Sequence, residues 1–158
     1  MNIEPGQLYF VKDSFFKKIQ DPYLKVNYIS TKRPHYYALK DKKTSLLWLI
    51  PCSSKIDKFE RILEKRAKYN RPTATIMIVN IQRTKTVLLL QDMFPISEKY
   101  LDSQYMKGGA PVTVSNPKKV AEIEKNAHRV IGLIRRGIKF TPTQPDALRI
   151  EKILLEEK

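Results

Sequence analysis

The chain has 158 residues, enough for one domain spanning 1–158, since a chain of roughly 150 residues buries about two-thirds of the surface it exposes when unfolded. Thirty Lys and Arg against sixteen Asp and Glu leave a formal net charge of +14, so the chain repels itself and attracts polyanions, most commonly nucleic acid. No apolar run approaches the roughly 20 residues that span a bilayer, and the opening MNIEPGQLYF lacks a leader pattern, which argues against a membrane role and for the cytoplasm.

In chain order, Gln7-Leu-Tyr-Phe-Val11 reads as a first strand, and Asp13 can cap a short helix carrying Phe15, Phe16 and Ile19 before the Asp21-Pro22 turn. Lys25 to Pro34 is polar and loop-like. His35 to Lys40 and Ser45 to Ile50 flank the polar turn Asp41-Lys-Lys-Thr44, the pattern of a hairpin whose second, nearly all-apolar strand is central. Ile56, Phe59, Ile62 and Leu63 then recur at helical spacing, with Lys58, Arg61, Lys65 and Lys68 opposite, so a basic amphipathic helix runs to about Tyr69.

A second hairpin joins Thr75 to Ile81 and Thr86 to Leu90 through Gln82-Arg-Thr-Lys85. After a short Ser97-capped helical turn, Gly108-Gly109 gives a flexible link and Ala110 to Val114 one more strand. Asn116-Pro117 starts a helix that Gly137 ends, with Val120, Ile123, Ala127, Val130, Ile131 and Ile134 as its buried stripe. A last helix begins near Pro145. This order predicts an α+β domain on a small, mainly antiparallel barrel-like sheet with inserted helices and a helical C-terminus.

Metal chemistry is not expected. Cys52 is the single cysteine, there are two histidines, and the carboxylates lack calcium or magnesium loop spacing. The richest local chemistry is Pro51-Cys-Ser-Ser-Lys55, where a core strand meets a helix. Backbone N–H groups and the helix dipole make an anion site there, which Ser53, Ser54 and Lys55 can complete. The bland alternative is a cap, because Ser54-Lys-Ile-Asp57 resembles a capping box, and the two readings are compatible. His35 follows Arg33-Pro34 on the neighbouring strand, so an imidazole and a guanidinium can join the hydroxyls.

Self-cleavage of RNA needs such a set: a group to take the 2′-OH proton, cations for the phosphorane, and an acid for the 5′-oxygen. A half-buried surface histidine is the plainer reading of His35. Tyr9 and Tyr36 suit the core, or a stack on a base if turned outward. Lys40, Lys42 and Lys43 are either a solvated turn or a phosphate track, and Lys32, Arg33, Lys58, Arg61 and Lys65 extend the basic surface.

Gly6-Gln-Leu-Tyr-Phe10, Arg33-Pro-His-Tyr-Tyr37, Leu39-Lys-Asp-Lys-Lys-Thr44, Trp48-Leu-Ile-Pro-Cys-Ser-Ser-Lys55 and Gln91-Asp-Met-Phe-Pro95 together resemble the ToxN/AbiQ family of type III toxin–antitoxin ribonucleases, closest to its CptN-like branch. The resemblance implies an SH3-like barrel of the Kid and MazF kind and a metal-independent endoribonuclease leaving 2′,3′-cyclic phosphate and 5′-hydroxyl ends, with no cofactor. It implies as partners an RNA pseudoknot antitoxin, cut from a repeat precursor and held in a closed toxin–RNA assembly, and cellular or phage mRNA as substrate. DNA is not expected. The family's hydroxyl pair falls on Ser53 and Ser54 and its lysine on Lys55. His35 aligns where some relatives have lysine, and Phe15 or Phe16 stands where some have tyrosine. The rival readings are a non-catalytic module for structured RNA and a gyrase poison.

Overall fold

The computed structural model describes residues 3–27 and 32–157, so part of the expected 25–34 loop lies outside the described residues. The elements are β1 (Leu8–Val11), α1 (Asp13–Ile19), β2 (Pro34–Lys40), β3 (Leu47–Ser53), α2 (Ile56–Lys68), β4 (Ile76–Ile81), β5 (Thr84–Leu89), β6 (Phe94–Ile96), β7 (Leu101–Gln104), β8 (Met106–Lys107), β9 (Ala110–Pro111), α3 (Pro117–Arg135) and α4 (Ala147–Leu155). Seven strands form one antiparallel sheet in the order β4-β5-β3-β2-β1-β7, with β6 also on β3.

β3 is the hub. It pairs β2 along one edge and divides its other edge between β6, opposite Leu47 to Leu49, and β5, opposite Cys52 and Ser53. Both faces of the sheet are covered, which is why this strand carries almost no polar residue. Trp48 and Ile50 pack with Ile123 and Val130 of α3, while Leu47 and Leu49 pack with Phe15 of α1 and Ile150 of α4. Phe59 of α2 packs with Ile76, Val87 and Leu89 of the β4–β5 hairpin.

The expected barrel is corrected in one respect: among the described strands the sheet is open, since β4 and β7 at its ends do not pair. The divided edge of β3 interrupts the ribbon, and β7 leads into the separate β8–β9 hairpin instead of reaching β4. Gly108 and Gly109, both at positive φ, form the turn of that hairpin rather than a loose link, and only Ala110–Pro111 of the expected strand pairs there.

Cap chemistry divides the same way. Asn116 and Asp146 accept the N–H groups of Lys118 and Arg149, as helix-starting Asn and Asp do. Asp13 caps nothing, because Lys12 occupies the cap position and Asp13 is already the first helical residue, where it accepts the Asn27 amide at 2.8 Å; Ser97 makes no side-chain cap either. At the far end of the β2–β3 hairpin, the guanidinium of Arg135 forks onto Glu151 at 2.8 and 3.0 Å and reaches Asp41 at 2.7 Å, tying α3 to α4 and to that turn.

Candidate functional site

The junction between β3 and α2 is built by Ser53. Its Oγ accepts the backbone N–H of Lys55 at 3.2 Å, which turns the chain so that α2 starts one residue beyond Lys55. The capping box expected from Ser54 and Asp57 is therefore not formed: Lys55 occupies the cap position, and no side-chain cap is made. Ser54 is exposed, and its hydroxyl makes no hydrogen bond within the described residues.

This junction forms one wall of a cleft of about 660 Å³. Six cations line it, Lys25, Arg33, Lys55, Lys58, Lys85 and Lys107, and none of its described lining residues is Asp or Glu. Concave walls bearing one sign of charge concentrate their potential, so the cleft attracts anions. Strand register assembles it. His35 pairs with Pro51, which sets Arg33 across from Ser53, and Ser53 pairs with Val87, which brings up the β4–β5 tip with Lys85. The Gln82 amide donates to the Pro111 carbonyl at 3.1 Å and links that tip to the β8–β9 hairpin.

Arg33 is held firmly. Its Nε donates to the Val26 carbonyl at 2.9 Å, and its N–H donates to Asn27 Oδ1 at 3.1 Å. Asn27 is anchored in turn on the Val11 carbonyl. Lys25 lies 3.5 Å from the buried carboxylate of Asp92, whose pKa burial raises.

His35 is not in the cleft. It is 1% exposed, with its ring edge-on to Phe94, and its Nδ1 lies 3.1 Å from the Arg33 carbonyl. Since a carbonyl only accepts, Nδ1 carries the proton. Burial lowers its pKa to about 4, so the imidazole is neutral at physiological pH. The half-buried surface histidine expected from sequence is thus replaced by a core one.

Tyr9 and Tyr36 take the core alternative: each is buried and offers no ring face on which a base could stack, which corrects their place on the RNA-binding surface. Lys32 pairs with Asp102, outside the cleft lining. Lys40, Lys42 and Lys43 sit at the opposite end of the hairpin from Ser53, around a turn whose Asp41 carboxylate accepts the N–H groups of Lys43 and Thr44. The stretch from Arg33 to Lys55 is therefore not one continuous surface. Lys58 joins the cleft, whereas Arg61 and Lys65 lie farther along α2 with Glu64, Lys68 and Tyr69.

Sequence reasoning missed Lys25, Lys85, Lys107 and Tyr105. Each belongs to a loop or hairpin tip brought in by long-range pairing, and only the polar 82–85 turn gave a local signal. Cys52 lines the cleft as a neutral thiol, its pKa pushed up to about 12 by burial, which removes it as a thiolate nucleophile at neutral pH. Among the described residues no group of three His, Cys, Asp or Glu gathers as a metal site, and no helix is long and apolar enough to cross a membrane.

No protein-family model matches the sequence, and no curated protein does. Among solved structures, the chain has the fold of a toxin–antitoxin endoribonuclease. That structure is AbiQ, a lactococcal anti-phage endoribonuclease belonging to the type III toxin–antitoxin system; it matches over 98% of this chain and 100% of its own with a TM-score of 0.74. At 14% identity the likeness is one of fold, and it agrees with the expected α+β domain built on an antiparallel sheet with inserted helices.

Proposed function

We propose that the protein is the toxin of a type III toxin–antitoxin system, a metal-independent endoribonuclease that cuts single-stranded RNA, including its own antitoxin precursor. The observation that carries this reading is the carboxylate-free cleft with six cations around the Ser53–Ser54 junction. In the reaction the substrate's 2′-oxygen bonds to phosphorus and the bond to the 5′-oxygen breaks. The 2′-hydroxyl gives up a proton to water in the open cleft, and the leaving oxygen gains one. A 2′,3′-cyclic phosphate and a 5′-hydroxyl remain, and DNA, lacking the nucleophile, is spared.

Ser54, Ser53, Lys55 and Arg33 hold the scissile phosphate and stabilise the extra charge of the phosphorane, where hydrogen-bond donors fixed in advance act most strongly. The Lys55 ammonium protonates the departing 5′-oxygen. His35, too deep to touch substrate, acts through its bond to the Arg33 carbonyl and is a positioning residue. A pseudoknot RNA inhibits by covering this basic cleft in a closed toxin–RNA assembly, and released toxin cuts cellular or phage transcripts in the cytoplasm. Protein isolated from its own cells should carry a short RNA in stoichiometric amount. Recovery of gyrase in its place would overturn the proposal.

A further inference from the structure

The cleft lining also includes residues to which the reading above gives no task. Tyr105 is one of them, between β7 and the β8–β9 hairpin, and is partly exposed. Its backbone is fixed on both sides: the N–H donates to the Leu8 carbonyl at 2.8 Å, and the carbonyl accepts from Val112 at 2.9 Å. Phe10 meets its ring edge-on, with centroids 5.4 Å apart. The hydroxyl has no hydrogen-bond partner among the described residues. Phe59, the other aromatic in the lining, is 8% exposed and belongs to the core under α2. Lys85 and Lys107 line the same cleft as Tyr105 and make no ion pair among the described residues, unlike Lys18, Lys32 and Lys99 elsewhere on the surface.

We infer that Tyr105 is a nucleobase platform: it stacks the base of a nucleotide flanking the scissile phosphate, while Lys85 and Lys107 take the neighbouring phosphates. This rests on the reading of the cleft as an RNA-cleaving site and extends it to substrate selection. An aromatic ring flanked by cations is the recurring design for single strands, because every base has a face to stack. The ring is already held by Phe10 and by two backbone bonds, so little freedom is lost when the base arrives. A base inside a duplex cannot present its face, so the subsite selects unpaired RNA and requires an extended strand rather than a single nucleotide.

The test uses the full chain as Ser54→Ala, to bind without cutting, and short single-stranded RNAs carrying 2-aminopurine at each position in turn. Binding should quench the fluorophore at the position that reaches Tyr105. Adding Tyr105→Leu should abolish that quenching and weaken binding about tenfold, whereas Tyr105→Phe keeps both. Because Leu could disturb the packing against Phe10, a Tyr105→Trp variant provides a second readout. Its added emission should fall when unlabelled RNA binds, while Trp48, fully buried, reports no change in the parent protein. Quenching that survives Tyr105→Leu, or emission from Tyr105→Trp that RNA leaves unaltered, overturns the platform while leaving the cleavage site standing. RNA that the wild-type chain neither binds nor cuts overturns the cleavage reading, and the platform with it.

Discussion

Ser54→Ala should lower single-turnover RNA cleavage about a hundredfold or more and leave the fold intact. The size follows from removing one pre-positioned donor to a charged transition state, which costs on the order of 10²–10³ in rate. The intact fold follows from geometry, because the Ser54 hydroxyl is exposed and holds nothing within the described protein. Ser53→Ala makes an informative contrast. Its hydroxyl accepts the Lys55 N–H, so this change should slow cleavage and also destabilise the protein by about 1 kcal/mol. Rapid-quench kinetics with thermal unfolding of both variants separates the two effects. Wild-type rates in the Ser54→Ala protein would remove the phosphate site from the junction.

His35 should make the protein acid-sensitive by about 3 kcal/mol. Its pKa is about 4 in the folded chain because burial disfavours the imidazolium, against an ordinary value of 6.5. Between these values the unfolded chain binds the proton that the folded chain refuses. The stabilisation is therefore complete above pH 6.5, declines as pH falls, and is gone below about pH 4. His35→Asn preserves a donor for the Arg33 carbonyl and removes the titration. Urea unfolding at pH 7 and pH 4 should show a larger loss for the wild type than for His35→Asn, by about the amount given above. Asp41 and Glu157, whose carboxylates are held low, titrate in both proteins and cancel in the comparison. Equal losses would mean that His35 is not buried as a neutral ring.

Periodicity and cap chemistry are local, and the elements that depend on them were legible in the sequence. The Asn116-Pro117 start of α3 and the face of α2 emerged where the pattern placed them, whereas the central strand, expected over Ser45 to Ile50, runs from Leu47 to Ser53 because its end pairs with β5. β6 did not, because Pro95 disguises Phe94–Ile96 as a non-strand, although an edge strand tolerates a residue that cannot donate. That omission had a consequence for the site. Phe94 packs edge-on against His35, so part of the histidine's surroundings could not be foreseen without β6.

The cleft shows the same limit. Ser53, Ser54, Lys55 and Arg33 were visible because a strand-to-helix junction and one hairpin bring them together. The rest of the lining depends on Ser53 pairing with Val87 and on the Gln82–Pro111 bond, which no local pattern encodes. The capping box failed for a related reason: Ser53 took the Lys55 N–H, and the helix began one residue later than the Ser54 motif requires.

The central claim is that this cleft cuts RNA through the substrate's own 2′-hydroxyl, and product ends read it most directly. Mass spectrometry of single-stranded RNA treated with the full chain in excess chelator should find 2′,3′-cyclic phosphate and 5′-hydroxyl ends, and an RNA with one 2′-deoxy nucleotide at the cleavage position should stay intact there. Cleavage at the deoxy position, 5′-phosphate ends, or no cleavage without added metal would contradict it.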